Sequence, residues 1–246
     1  MIASRRNQNE PAWLLHHRPF RDSSQILDIL SRNHGRLAVV AKGSRGAKSK
    51  LRGILRPFLP LQLSWIIRSD LGTLTGAEMD GAPISLTGDA LLSGYYVNEL
   101  ILKLLHRHDP QPEIFAAYGR TIERLAGSQG VAPYLRQFEI ELLRMLGYAL
   151  NLDHDTESRE PLRPRQQYEY RAEQGPVPVS EREGPMVFTG AELDAIRNRQ
   201  FTDPAVLKNA GSLLRNVIAY HLDGKELKSR KVLKEIRNRQ TRSESH

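Results

Sequence analysis

Cysteine is absent from this 246-residue chain. That single absence removes disulfides, iron–sulfur clusters, thiolate zinc sites and a cysteine nucleophile together, and it fits a cytosolic protein. Long apolar runs are missing too. None approaches the roughly 20 residues needed to span a bilayer, and residues 1–11 are polar, without the apolar core of a signal peptide. No internal repeat or long low-complexity segment is visible. A third scarcity is local: residues 34–58, HGRLAVVAKGSRGAKSKLRGILRPF, contain no acidic side chain.

What is present is positive charge. The formal net charge is +8 and the pI about 9.8, which points to a polyanionic partner, nucleic acid before an anionic membrane surface. The charge is uneven. Residues 1–80 hold thirteen Lys/Arg against six Asp/Glu, and residues 225–246 hold eight against three. In the acid-free stretch, Lys42, Arg45, Lys48, Lys50, Arg52 and Arg56 alternate with Gly43, Ser44, Gly46 and Ser49. Small residues let a backbone approach a partner while long cations reach around it. Such a loop suits a phosphodiester backbone; a basic run is also often only a solvated face. A nucleotide-triphosphate loop is excluded by geometry, because that motif needs Gly directly before its Lys and here Ala47 separates Gly46 from Lys48.

Alternation and turn residues predict five short strands: residues 12–18, 25–31, 36–41, 61–67 and 73–78. Five strands in under eighty residues predict a closed OB-type barrel, a fold that often binds oligonucleotides. After Pro83 the period becomes helical. Helices are expected over 86–107 (capped by Thr87), 112–126 and 133–146 (stopped by Gly147), joined as a bundle. Residues 151–185 lose that period and read as a poorly packed excursion with a small hairpin at 168–171. Helices resume at 189–199, opening on the capping-box pattern Thr189-Gly190-Ala191-Glu192, then 203–222 and 229–239. The fold class is α+β: an OB domain over 1–82, a helical domain over 83–150 and 189–240, and a small irregular insertion at 151–188.

With these pieces in order, the chain resembles the RecO family of bacterial recombination mediators over nearly its full length. The likeness rests on His17-Arg18-Pro19-Phe20 with Ser23-Ser24, Gly35-Arg36 leading to Val40-Ala41-Lys42-Gly43-Ser44-Arg45, and Leu55-Arg56-Pro57-Phe58 with Pro60. It continues through Tyr96-Val97-Asn98-Glu99-Leu100, Arg136-Gln137-Phe138-Glu139, Leu146-Gly147-Tyr148 and Leu227-Lys228-Ser229-Arg230. The resemblance implies binding of single- and double-stranded DNA, strand annealing, docking on the acidic tail of single-strand-binding protein, association with RecR, and help in loading RecA. It implies no catalytic residues, no cofactor, no membrane, and a cytoplasmic, nucleoid-associated location. Some relatives hold a four-cysteine zinc site in the insertion; this chain cannot. Asp153, His154 and Asp155 are adjacent and cannot close a tetrahedron unaided.

The expected DNA contacts are Lys42, Arg45, Lys48, Lys50, Arg52 and Arg56, supported by Arg36, with a second patch at Lys228, Arg230 and Lys231 extended by Lys225 and Lys234. Trp13, Phe20, Phe58 and Trp65 are the aromatics available to stack bases, although Trp13 and Trp65 are expected to fill the barrel core. For the acidic tail, Arg136, Phe138 and Ile140 would face Leu61 and Leu63 across a groove. The alternatives are an RNA-binding OB protein, a metal-dependent DNA-processing enzyme, which would need a carboxylate cluster, and a purely structural adaptor.

Overall fold

The structure, a computed structural model, describes residues 5–68, 71–128, 130–180, 184–232 and 235. By packing, the chain forms two compact units, Met1–Ser128 with Leu227–His246, and Gln129–Glu226. The division falls after the second long helix, whereas composition alone suggests one near Pro83.

The first unit is built on a closed barrel of five strands in the order β1-β2-β3-β5-β4, the OB-type arrangement. The strands are β1 (Arg5–Phe20), β2 (Ser24–Ser31), β3 (Gly35–Ala41), β4 (Pro60–Ile67) and β5 (Leu71–Met79). β1 is long enough to pair antiparallel with both β2 and β4, and bulges between Leu14 and His16 and between Asn7 and Glu10 let it curve between them. A parallel β3–β5 pairing closes the ring. Strand period decides the core. Ala12 and Leu14 of β1 join Leu27, Ile29, Leu37, Val39, Leu61, Leu63 and Trp65 inside. Burying each large aliphatic side chain stabilises by about 1.5–3 kcal/mol.

Trp13 points the other way. It is buried, but outside the barrel, where its indole meets Tyr118 edge-on at 5.3 Å and Phe115 at 6.3 Å. A Cβ added at Gly119 would stand 3.3 Å from its Cζ2, so the absence of a side chain there lets the helix close on the indole. The expectation that Trp65 is barrel core holds; for Trp13 the covering layer is helical. That layer is α2 (Gly88–Leu104) and α3 (Pro112–Gly127), numbered after the short turn α1 (Leu51–Ile54). Asn98 ties α2 to the barrel, donating to the Leu15 carbonyl at 2.8 Å and accepting from the Tyr118 hydroxyl at 2.8 Å. Burial raises the pKa of that hydroxyl, so it stays a donor. Thr87 precedes α2, but its side chain makes no capping hydrogen bond; its carbonyl accepts from Ala90 N instead.

In the second unit, α4 (Ala132–Met145) packs on α6 (Pro204–His221), and α5 (Gly190–Arg197) packs on α6 and on the strand β8 (Val187–Thr189). Of the three consecutive helices, α2 and α3 pack on each other in the first unit, and α4 packs on α6 in the second. The capping box is present, with Glu192 N donating to Thr189 Oγ1 and Thr189 N donating to Glu192 Oε2. The insertion corrects the expectation of poor packing. It forms a sheet in the order β7-β6-β8, from β6 (Gln167–Arg171), β7 (Gly175–Val179) and β8 (Val187–Thr189). Tyr168, Tyr170, Val177, Val187 and Phe188 are all buried there. Local polar bonds order its loop, where Asp155 accepts from the backbone of Glu157 and Ser158. Among the described residues no helix is long and apolar enough to cross a membrane.

Candidate nucleic-acid interface

The acid-free stretch links β3 to β4, and its apolar and basic residues separate cleanly. Leu55 and Leu59 are buried against the barrel core, with Leu51 and Ile54 packed beside them. The short α1 therefore seals the barrel with its aliphatic side. Lys42, Arg45, Lys48, Lys50, Arg52 and Arg56 are all exposed. Hydrogen bonds set the loop backbone. Ser44 Oγ donates to the Ala41 carbonyl at 2.9 Å, Ser49 N to Gly46 O at 3.0 Å, and Arg52 N to Ser49 O at 3.2 Å. Gly43 takes φ +65°, the left-handed conformation that turns the chain out of β3.

Among the described residues, none of these six cations forms an ion pair with a carboxylate. Arg56 Nε donates to the Gly53 carbonyl and Arg45 Nη1 to the Arg21 carbonyl, so the partners of both are backbone oxygens, not carboxylates. Arg36 differs from them. Its Nε donates to the Leu105 carbonyl at 3.1 Å, and burial together with neighbouring Arg107 lowers its pKa against the opposing pull of Asp28. It fastens β3 to the chain following α2.

Residues that sequence reading left out complete this surface. The β1–β2 turn meets the loop where Arg45 N donates to Ser23 O at 2.9 Å, which brings Arg21 next to Arg45. Arg18, on β1, is exposed and pairs in register with Ile26. The acid of that turn, Asp22, forms no ion pair among the described residues. Asp28, the buried acid of β2, lies 3.6 Å from Arg107 and 3.7 Å from His16. The β1–β2 register, which runs from Phe20 opposite Ser24 to His16 opposite Asp28, sets these positions side by side; residue counting does not show it.

The aromatics sort by burial. Trp13 and Trp65 are enclosed, and Phe58 is buried edge-on against Tyr95 at 5.2 Å. Phe20 remains partly exposed, with the Arg21 guanidinium 5.2 Å from its ring centre.

The second basic segment is held in place. Glu99 accepts from Lys228 N and Ser229 N, both at 2.9 Å, and from Ser229 Oγ at 2.7 Å. Burial works against the Glu99 carboxylate, but the Ser229 and Lys228 donors outweigh it and lower its pKa. Arg230 donates to Tyr96 Oη at 2.7 Å and lies over its ring. Lys228 and Lys231 are exposed, Lys225 lies 3.6 Å from Asp223, and Lys234 falls outside the described residues.

The expected tail groove needs correction. Leu61 and Leu63 are fully enclosed in the barrel, and Phe138 is buried in the second unit, so none can line a surface. Arg136 and Ile140 are partly exposed on α4. Arg136 Nη2 meets the buried Glu139 at 2.7 Å, while its Nε has no hydrogen-bond partner. In the insertion, Asp153 pairs with His154 at 2.9 Å, and no group of three or more metal-ligating side chains is found among the described residues.

Comparison with known proteins agrees with this architecture. Residues 6–81 match the family described as "Recombination protein O N terminal" and residues 85–231 the family "Recombination protein O C terminal". Among curated relatives, the DNA repair protein RecO of Nitrosospira multiformis is 39% identical over 96% of this chain and 98% of its own length. That of Aromatoleum aromaticum is 42% identical over 96% and 99%, and that of Methylococcus capsulatus 41% over 91% of each.

Proposed function

Because the chain belongs to the RecO family of DNA repair proteins, we propose that it gathers single- and double-stranded DNA by their phosphates and anneals complementary strands, making and breaking no covalent bond. The observation behind this reading is the run of six exposed cations between Lys42 and Arg56 without a described carboxylate partner. Contacts of that kind position DNA and neutralise it without reading sequence. Annealing then follows from screening, because two polyanions held on one cationic surface meet at lower electrostatic cost.

The same reading assigns the protein a mediator's partners: the acidic tail of single-strand-binding protein, RecR, and through them RecA. Of the tail-binding side chains expected from sequence, only Arg136 and Ile140 on α4 are partly exposed, and Arg136 is already paired with Glu139, so an acidic tail would have to compete for that guanidinium. The test is charge reversal at Lys48→Glu, Lys50→Glu and Arg52→Glu. Annealing should fall by an order of magnitude or more while the melting temperature is kept. Annealing at the wild-type rate would remove the loop from the mechanism.

A further inference from the structure

The outer face of the barrel changes character along its length. Cross-strand pairing puts Trp13 opposite Leu30, His16 opposite Asp28, Arg18 opposite Ile26 and Phe20 opposite Ser24. The Trp13 end is closed by α3. The Phe20 end is not: Phe20 sits partly exposed on a small apolar floor of Ile26, Ala38 and Val40. That floor lies where the β1–β2 turn is hydrogen-bonded to the cationic loop through Arg45. A half-open aromatic ring thus stands at the edge of the phosphate-binding surface.

Arg21 occupies the ring. Its guanidinium lies 5.2 Å from the Phe20 ring centre, and its backbone holds φ +52°, a conformation that a non-glycine residue adopts at a cost. Strain of this kind at a surface turn is a pointer to function. An exposed cation–π contact strengthens an interaction only about two- to fivefold. A nucleobase stacked on an aromatic ring strengthens binding by about five- to 150-fold. A base therefore outcompetes the guanidinium for the ring, and the displaced arginine gains a phosphate.

We infer that Phe20 is a base-stacking platform for single-stranded DNA, with Arg21 as its exchangeable cover. The inference rests on the DNA-binding reading above and gives that site a preference it otherwise lacks. Loop cations grip any phosphate backbone, whereas only an unpaired strand can lay a base on Phe20. The platform lies on the same sheet face as Arg18, so a strand whose base reaches Phe20 keeps cations on both sides.

The test measures binding of a thymidine oligonucleotide and of a duplex of equal length across a salt series, using the full chain. Phe20→Leu keeps an apolar side chain on the floor and removes the ring. It should weaken single-strand binding about tenfold, leave duplex binding unchanged, and leave the slope against salt unchanged, since no charge is lost. Phe20→Trp should retain single-strand affinity and show fluorescence quenching on binding beyond that of the wild type, whose two tryptophans are buried. The loop reversal serves as the control. If it weakens both DNA forms while Phe20→Leu weakens neither and Phe20→Trp is not quenched, the platform is refuted and the DNA-binding reading stands. If the loop reversal weakens neither form, the underlying reading fails.

Discussion

Glu99 is a single carboxylate that organises the start of the basic C-terminal segment. Three donors converge on it, two of them backbone amides at Lys228 and Ser229. Because its folded-state pKa is lowered, its stabilisation is fully present above the unfolded value, roughly 4.3, and is lost as pH falls through the folded value. Because Gln keeps an acceptor but loses the charge in these hydrogen bonds, Glu99→Gln should cost about 1 kcal/mol, reduced by the solvent exposure of the site. It should raise hydrogen exchange at the 228 and 229 amides at neutral pH, and it should flatten the acid limb of stability. An unchanged exchange rate would show that the segment is held by Arg230 on Tyr96 instead. Asn98 is the corresponding buried residue, bridging Leu15 O and the Tyr118 hydroxyl. Asn98→Ala leaves both groups unpaired and should cost about 1–3 kcal/mol in urea denaturation. Neither role is legible in sequence. Glu99 lies 129 positions from Lys228, and nothing local marks either as the other's partner.

At the scale of elements, two glycines of similar conformation should behave differently. Gly35 and Gly43 have φ +66° and +65°. A Cβ at Gly35 would fall 2.1 Å from the Asp109 carbonyl oxygen, whereas a Cβ at Gly43 meets nothing within 4 Å. Gly43→Ala should cost only the backbone penalty of about 1 kcal/mol. Gly35→Ala should cost clearly more, because the clash is with backbone that cannot turn aside; equal losses in thermal melts would contradict this. The elements themselves were the most readable part of the chain. β2 and β3 are marked by β-branched and aliphatic alternation, Pro112 begins α3, and Thr189 with Glu192 opens α5 as a capping box. The short α1 is not legible, because four residues give no period to detect. In the insertion the hairpin at 168–171 is legible, but the third strand β8 and the burial of the sheet are hidden by its charged composition. The alternation of Tyr168 and Tyr170 with Gln167, Glu169 and Arg171 marks one strand, but it is too brief to show that the sheet is buried or has a third strand.

For the molecule as a whole, placement of charge could be read earlier than placement of pockets. A run of six basic residues with no acid between them stays cationic in any fold that exposes it, and the aliphatic residues interleaved with it are what turn it outward here. Leu61 and Leu63 went the other way: strand alternation in β4 turns both into the barrel, a direction that depends on which face closes. The same dependence made Trp13 an outer-face residue. The most direct test of the whole account is therefore the salt dependence of single-stranded DNA affinity. If all six loop cations meet phosphates, the logarithm of the binding constant should fall against the logarithm of salt with a slope of about −4. Replacing Lys48, Lys50 and Arg52 by Ala should reduce that slope by about 2. A slope near zero, or one that the triple replacement leaves unchanged, would contradict the claim that this loop holds DNA by its backbone.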